Sequence, residues 1–370
     1  MTEPLHCDIC SDECPSEELR HFGGRSLCQN CFDTETVLCD CCGGRIWETN
    51  AIIEGNTQLC QNCIENNYTH CESCDALIHN DDAYYPSDDD NTSYCYDCYD
   101  DAAACSIHSY NYKPDPIFYG EGSPYLGVEL EIDFGGESER SAKALLAIAN
   151  QEHEHLYCKH DGSLSDGFEL VSHPMTLAYH ASTMPWQNIV KEAISLGYSS
   201  HKARTCGLHV HVNRNFFGAT DAEQDNAIAR VLYFIENHWP ELLRFSRRTE
   251  QQLQQWASRY GRKDNPKAVL DAAKKSYARY TCVNLTNYTT IEFRIFRGTL
   301  KYNTLIATLQ LVSEICKVAA SLSDEIIDKL SWTSFVEELN PEHVPELIQY
   351  LKERRLYINE IVTADIEEES

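Results

Sequence analysis

The feature that most constrains the fold is a repeat of cysteine pairs in the first third of the chain. Cys7, Cys39 and Cys71 begin successive blocks 32 residues apart. In each block a Cys-x-x-Cys pair is followed, after seventeen, seventeen and twenty residues, by a second pair. Two thiolate pairs supply the four ligands of one tetrahedral Zn²⁺. We therefore predict three structural zinc sites, with the ligand sets Cys7, Cys10, Cys28, Cys31; Cys39, Cys42, Cys60, Cys63; and Cys71, Cys74, Cys95, Cys98.

The second pair of each block has a similar context, which predicts a strand entering the pair and a short helix leaving it. In this the blocks resemble LIM-type and treble-clef zinc modules. A disulfide or redox array would not need a regular period, and iron–sulfur ligands are usually more closely spaced. A RING-like ubiquitin-ligase module would need interleaved ligand pairs, and the long second linkers and lack of histidine ligands disfavour it.

Four further residues, three cysteines and a histidine, are of types that bind zinc but have no assigned role. Cys14 and Cys41 are spare thiols near the pairs, and Cys41 could exchange with Cys42 as a ligand. Cys105 and His108 have the spacing of half a site, but no partner pair is visible.

Charge and hydropathy limit the kinds of partner. The net charge is −28, and residues 1–118 hold 23 Asp/Glu against 4 Lys/Arg. A nucleic-acid-binding module needs a basic face, so we expect no nucleic-acid partner. No apolar run of membrane-spanning length and no signal peptide is evident, so we expect no membrane association and a cytoplasmic location.

A Pro/Gly-rich stretch around residues 112–124 predicts a domain boundary. We predict zinc units over 1–111 (about 5–35, 37–67 and 69–108) and a linker over 112–124. A catalytic domain over 125–322, C-terminal helices over 323–355 and an acidic tail over 356–370 complete the prediction.

The second half is predicted to belong to the α+β fold class, with an antiparallel sheet and helices between its strands. Strands are predicted at 125–134, from about 157, and at 168–174, 208–212, 279–285 and 290–297. Helices are predicted at about 138–151, 179–196, 219–247, 249–277 (interrupted near 265–266), 302–322, 331–339 and 342–354.

Three of these strands alternate apolar with charged or metal-binding residues. Successive side chains of a strand point to opposite faces, so each strand has one apolar face. The other faces carry Glu129, Glu131 and Asp133; His209 and His211; and Glu292 and Arg294. One such strand is ordinarily the solvent face of a half-buried sheet, but Lys, Thr and Ser usually dominate there. Three together predict the floor of an active site.

Five ordered motifs carry a family resemblance over about residues 125–320. They are Gly127-Val-Glu-Leu-Glu131, Lys159-His-Asp-Gly-Ser163, Phe168-Glu-Leu-Val-Ser-His-Pro174, Cys206-Gly-Leu-His-Val-His-Val212 and Thr290-Ile-Glu-Phe-Arg-Ile-Phe-Arg-Gly298. Together they resemble the amidoligase family of carboxylate–amine ligases, which has a glutamine-synthetase-like fold. The resemblance does not cover the zinc units.

The resemblance implies ATP-dependent amide or isopeptide-like bond formation through an acyl-phosphate, with Mg²⁺ or Mn²⁺. By similarity to glutamine synthetase, Glu131 and Glu169 would hold one metal, and Glu129, His209 and Glu292 the other. Arg294 and Arg297 would stabilise the transferred phosphoryl group. His211 would bind nucleotide or substrate, Asp161 would deprotonate or position the amine, and Lys159 would contact phosphate. The zinc units would recruit a protein or peptide, which would be the carboxylate substrate or amine donor.

Two other functions fit parts of the pattern. A zinc-finger adaptor with a degenerate, non-catalytic ligase fold is one, although the intact charged sets count against decay. A metal-dependent hydrolase or nuclease is the other, and the acidic chain disfavours nucleic acid.

Two smaller residue groups lie outside the five motifs. The tryptophans at 186, 239, 256 and 332 fall in helical stretches and are predicted to be core rather than base-stacking residues. Arg244, Arg247 and Arg248 form a basic cluster that is either a solvated face or a guide for ATP or an acidic substrate.

Overall fold

The computed structural model describes residues 5–54, 57–85, 92–103, 106–203, 205–276 and 279–357. The chain divides into two compact units, residues 1–104 and 105–370. The acidic tail predicted over 356–370 falls almost entirely outside the described residues, as does Cys105.

The first unit is a series of short antiparallel hairpins and helices. Its strands are β1 (Leu5–His6), β2 (Glu13–Cys14), β3 (Arg20–Phe22), β4 (Arg25–Leu27), β5 (Thr36–Leu38), β6 (Arg45–Trp47), β7 (Ile52–Glu54), β8 (Thr57–Leu59), β9 (Tyr68–His70) and β10 (Leu77–His79). Its helices are α1 (Gln29–Glu35), α2 (Gln61–Asn67) and α3 (Tyr96–Ala103). In the first two blocks a strand enters the second cysteine pair and a helix leaves it, as predicted.

The core of this unit is small. One cluster holds Cys7, Leu27 and Cys31 as its fully buried members, and another holds Cys39, Leu59 and Cys63. Four of these six residues are predicted zinc ligands. So few buried apolar side chains do not stabilise a fold of this size without a further constraint.

The second unit contains an eight-stranded sheet. Its strands are β11 (Ile107–His108), β12 (Tyr125–Ile132), β13 (Leu156–Lys159), β14 (Phe168–Ser172), β15 (Met175–Thr176), β16 (Gly207–Asn213), β17 (Val283–Asn284) and β18 (Thr290–Arg297). The order is β11-β13-β14-β12-β16-β18-β17, with β15 beside β12. All named pairs are antiparallel except β11 with β13. The sheet and the fourteen α-helices of the described chain make a mixed α/β structure.

Eleven helices of the described second unit share a hydrophobic core with the apolar face of this sheet. They are α4 (Glu139–Ala149), α5 (Leu177–Ser182), α6 (Trp186–Ser195), α7 (Asp221–Asn237), α8 (Trp239–Ser246), α9 (Glu250–Trp256), α10 (Pro266–Ser276), α11 (Tyr302–Ser321), α12 (Asp324–Lys329), α13 (Trp332–Glu337) and α14 (Pro345–Glu353). α11 is long and apolar enough to cross a membrane, but 72% of its apolar window is buried within the protein. Its burial is that of a core helix.

Several predicted elements differ from the structure. The helix predicted at 179–196 is two helices, of which the first ends at Ser182 and the second begins after Pro185, and the helix predicted at 219–247 divides at His238. The helix predicted at 249–277 is α9 and α10, and the strand at 279–285 shortens to β17. His108, which has no predicted role but falls at the end of the approximate bounds of the third zinc unit, lies in β11 and stacks on Tyr112 within the second unit.

Candidate active site

Four neighbouring strands bring the predicted site residues to one face of the sheet. β12 lies between β14 and β16, and β18 follows β16. The cross-strand partners are Glu129 and His209, Glu131 and Glu169, and His211 and Glu292. The alternate residues have no exposed surface and face the core: Val128, Leu130, Ile132, Leu208, Val210, Ile291 and Phe293. The predicted alternation is therefore confirmed.

Glu129 lies between the two histidines. Its Oε2 is 3.2 Å from His209 Nδ1, and its Oε1 is 2.9 Å from His211 Nε2. Burial acts to raise the pKa of Glu129, but the two imidazoles hold it well below its usual value. Burial acts to lower the pKa of His211, and the Glu129 carboxylate outweighs this and raises it. The three side chains form one hydrogen-bonded set.

Glu131 and Glu169 are both buried beside this set. Glu131 accepts a hydrogen bond from the Gly207 amide and lies 3.6 Å from His209 Nε2. Burial raises its pKa. Burial and the nearby Glu129 raise the pKa of Glu169 well above its usual value, although Lys159 Nζ lies 3.9 Å away. A divalent cation here would offset this repulsion and favour the ionised carboxylates.

Glu292 is held by amides and by a cation. Its Oε2 accepts from Asn284 Nδ2 at 2.9 Å and from Asn287 Nδ2 at 3.4 Å, and Arg294 Nη1 donates to Oε1. Burial acts to raise the pKa of Glu292, but His211 and other neighbours lower it. This carboxylate is fixed in one orientation, with its charge favoured.

A β-bulge in β18 places Arg297 on the same face. The register shifts between Leu208, which is opposite Phe296, and Val210, which is opposite Phe293. The extra residue in β18 turns Phe296 into the core and leaves Arg297 opposite Gly207. Arg297 Nη1 donates to the Arg247 carbonyl at 3.4 Å. Simple alternation along the strand would have pointed Arg297 away from the site.

A cavity of about 440 Å³ opens beside this face. Glu131, His209 and Arg294 line it from the sheet, and Asp161 lines it from the loop after β13. The volume is within the range of small-molecule sites. Of the predicted site residues, Glu131, His209, Arg294 and Asp161 thus line one concave site.

Asp133 has a different role from the one its position in the pattern predicted. Its side chain is fully buried and accepts hydrogen bonds from the backbone amides of Phe134, Ser165 and Asp166 at 2.7–3.1 Å, and from the Thr205 hydroxyl. Burial acts to raise the pKa of Asp133, but these donors lower it. It therefore ties the loop that carries Asp161 to the end of β12.

Other cavity residues come from helix ends and loops that no motif marks. Arg248 follows α8, Trp256 ends α9, and Arg279 and Tyr280 precede β17. Trp186, Trp239 and Trp332 are buried as predicted, but the prediction of a core position is wrong for Trp256, which is half-buried and lines the cavity. Of the basic cluster, Arg244 is exposed and Arg248 is buried.

Two candidate metal groups share Glu129. Ligand atoms of Glu129, Glu169 and His209 lie within 4.8 Å of one another, as do those of Glu129, His211 and Glu292. Carboxylate oxygens with one imidazole suit Mg²⁺ or Mn²⁺. The resemblance instead assigned Glu131 with Glu169 to one metal, Glu129, His209 and Glu292 to the other, and His211 to nucleotide or substrate. In the structure Glu129 lies in both geometric groups and His211 lies beside Glu129 and Glu292, and the assignment of roles among these residues stays a prediction.

The three predicted cysteine sets each come together. The sulfur atoms of Cys7, Cys10, Cys28 and Cys31 lie within 4.8 Å of one another, and the same holds for the second and third sets. Burial acts to raise the pKa of the first cysteine of each set, but backbone amides lower it to about 6. Thiolates arranged in this way could hold zinc.

Comparison with known families gives a match over part of the chain. Residues 146–316 match the family described as "Putative amidoligase enzyme". The matched range includes β14, β16 and β18, and begins after Glu129 and Glu131. The resemblance predicted from the motifs is therefore confirmed over this range. No curated protein matches the chain.

Proposed function

We propose, from the match of residues 146–316 to the amidoligase family, that the second unit is an ATP- and divalent-metal-dependent carboxylate–amine ligase. The observation that carries this is the pair of ligand groups sharing Glu129 beside an arginine-lined cavity. Several carboxylates on one sheet face are what phosphoryl transfer from a metal–nucleotide complex requires. We further propose that the sheet is of the glutamine-synthetase-like kind, because its central strands are antiparallel and carry the ligands on one face.

The reaction would have two steps. A substrate carboxylate oxygen attacks the γ-phosphorus of ATP, the bond to the bridging oxygen breaks, and ADP leaves. The amine nitrogen then attacks the acyl carbon, phosphate leaves with the bonding electrons, and the amine loses a proton. Divalent cations, when bound, supply charge neutralisation for the phosphate oxygens.

The chain's own residues would divide these tasks by position. Arg294 and Arg297 would stabilise negative charge on the transferred phosphoryl group, which planar multi-donor cations do well. Asp161 lines the cavity and would accept the amine proton. Lys159 lies beside Glu169 and would neutralise negative charge at that position on the sheet.

We propose that the zinc units recruit the protein or peptide that is modified. Their acidity favours a partner with basic segments. A cytoplasmic location, with no nucleic-acid or membrane partner, remains part of the same proposal.

Calorimetric titration with ATP and Mg²⁺ tests the ligase proposal. The wild-type chain is compared with Glu129→Ala/Glu131→Ala, which removes the central carboxylates. We expect magnesium-dependent ATP binding in the micromolar range for the wild type, of the order usual for enzyme substrates, and none for the variant. Phosphate release would then be sought with candidate carboxylates and amines.

Absence of ATP binding with every divalent metal tested would overturn the ligase proposal. The non-catalytic adaptor would then become the leading function. ATP-independent hydrolysis at the same metal groups would instead favour a hydrolase.

A further inference from the structure

Arg248 is a buried cation without an obvious structural purpose. Its side chain follows α8, is 7% exposed and lines the cavity. Within the described part of the chain its buried Nε has no hydrogen-bond partner, and the same is true of Nε of Arg294. Buried polar groups are nearly always paired, so unpaired guanidinium nitrogens on two arginines that line one cavity require an explanation.

We propose that Arg248 and Arg294 form an oxyanion-binding site inside the cavity, which takes the carboxylate or phosphate of a small ligand. Guanidinium groups present several donors in one plane and bind both kinds of oxyanion through paired hydrogen bonds. Arg294 already donates one nitrogen to Glu292, so its remaining donors are oriented rather than free to rotate.

The backbone around Arg248 is built to place this side chain. Arg247 has a left-handed φ of 58°, a conformation that non-glycine residues adopt only when the surrounding structure imposes it. The turn ends α8 and directs the next side chain inward. On the other side, Gly207 leaves room: a Cβ there would lie 2.9 Å from Arg248 Nη2.

Electrostatics favour an anion between the two arginines. The carboxylate of Glu131 favours the charged form of Arg248, and one of its oxygens accepts from the Gly207 amide. Burial and the positive charges of Arg294 and Arg297 lower the pKa of Arg248 to about 10, against the opposing effect of Glu131. The group is still charged at neutral pH, and a bound oxyanion would relieve the repulsion among these cations.

The cavity wall points to an organic ligand rather than a bare ion. Trp256 and Tyr280 contact each other edge to face with ring centroids 5.7 Å apart, and Arg279 lies over the Tyr110 ring. These residues line the cavity together with Arg248 and Arg294. An oxyanion held by the arginines would thus carry an apolar or planar group against aromatic rings.

The identity of the oxyanion rests on the proposed ligase function, whereas the existence of the oxyanion site does not depend on it. Under that function it is either the substrate carboxylate or the terminal phosphate of ATP. Both would reach the same two guanidinium groups.

The test measures binding of inorganic phosphate and of glutarate to the zinc-loaded full chain at constant ionic strength, without added Mg²⁺. We compare wild type with Arg248→Gln, Arg248→Lys and Arg244→Gln. Arg244 is exposed near the end of the same helix, so its variant controls for loss of one positive charge. Circular dichroism checks that each variant is folded.

We expect Arg248→Gln to weaken binding of at least one probe about tenfold or more, Arg248→Lys to weaken it less, and Arg244→Gln to leave it unchanged. Unchanged binding in a folded Arg248→Gln protein, or equal loss in Arg244→Gln, would overturn the proposal, as would no binding of either probe to the wild type.

Competition separates the two sources of the oxyanion. Displacement of phosphate by ATP and Mg²⁺ assigns the site to the nucleotide, whereas displacement only by glutarate assigns it to the substrate carboxylate. If the ligase proposal fails, ATP binding is absent while the metal-free phosphate or glutarate measurement still decides whether the oxyanion site exists.

Discussion

At the scale of single residues, Glu129 connects the two candidate metal groups. It contacts both histidines and belongs to both ligand sets, whereas Glu292 belongs to the second of them. We therefore expect Glu129→Gln to weaken Mn²⁺ binding at both positions and Glu292→Gln to leave one tight Mn²⁺ per chain. Electron paramagnetic resonance counts the bound Mn²⁺. The exposed Glu325 provides the control Glu325→Gln, which should bind as the wild type does. Two tight ions in Glu129→Gln would contradict the shared position.

A second residue-scale prediction concerns Asp133, which is buried and accepts three backbone N–H groups and a hydroxyl. Asp133→Asn replaces an acceptor oxygen by a donor that faces other donors. We expect the free energy of unfolding in urea to fall by about 1–3 kcal/mol. The exposed Asp166→Asn is the matched control, because only its backbone amide takes part in this network. Equal stability of the two variants would show that the Asp133 carboxylate does not hold the loop.

The sequence is informative about the site only where alternation along a strand fixes the direction of a side chain. Glu129, His209 and Glu292 could be predicted because their strands are regular and one face is apolar. Arg248 is marked by the sequence only as part of a basic cluster. Its direction could not be predicted, since it depends on a left-handed turn at Arg247 that no local pattern encodes. Trp256 was misassigned because helical periodicity does not reveal that a helix ends at a cavity.

At the scale of elements, the long strands and helices were predictable within a few residues. β18 spans Thr290–Arg297 as predicted, and α11 ends at Ser321, one residue before its predicted end. Long predicted helices were divided where signals for a new helix start interrupt the periodicity. The helix predicted over 219–247, for example, divides at His238, and Pro240 lies in the first turn of α8. Two-residue strands such as β11 depend on tertiary pairing alone, and their sequences carry no signal.

The packing of α5 against β12 leads to a prediction of how the stability of the fold depends on pH. His180 is fully buried, its Nε2 lies 3.0 Å from the Leu126 carbonyl, and its Nδ1 accepts from Trp186 Nε1. Burial lowers the pKa of His180 to about 4, against the opposing effect of the hydrogen bond to the Leu126 carbonyl. The folded state therefore binds the proton less well than the unfolded chain. Stability is then complete above pH 6.5 and is lost as the pH falls from 6.5 towards 4, by an amount on the order of 3 kcal/mol.

Urea unfolding at several pH values between 7.5 and 4.5 measures this loss. We expect His180→Gln to be less stable at pH 7.5 but to show a smaller decrease towards pH 4.5 than the wild type. His343→Gln, at an exposed position, should keep the wild-type slope. A slope that does not change in His180→Gln would show that other groups govern the acid sensitivity.

At the scale of the whole molecule, the two units are stabilised in different ways. The second has one extensive core that includes the sheet and α11. The first has core clusters of three buried residues each, of which two are cysteines. The repeat of cysteine pairs therefore predicts more than ligand identity: it indicates that folding of the first unit depends on metal, because its apolar core is too small.

Zinc content and hydrogen exchange test that dependence. We expect three Zn²⁺ per chain by mass spectrometry of the metal, two in Cys10→Ser, and three in Cys14→Ser, since Cys14 is a spare thiol outside the ligand sets. Stripping the zinc with a chelator and a thiol reagent should abolish amide protection in the hairpins of the first unit. Protection in β12, β16 and β18 should persist, because burial of the sheet's apolar face does not involve the cysteine sets. Protection of the first unit after complete zinc removal would show that its small core is sufficient, and the metal would then serve binding rather than folding.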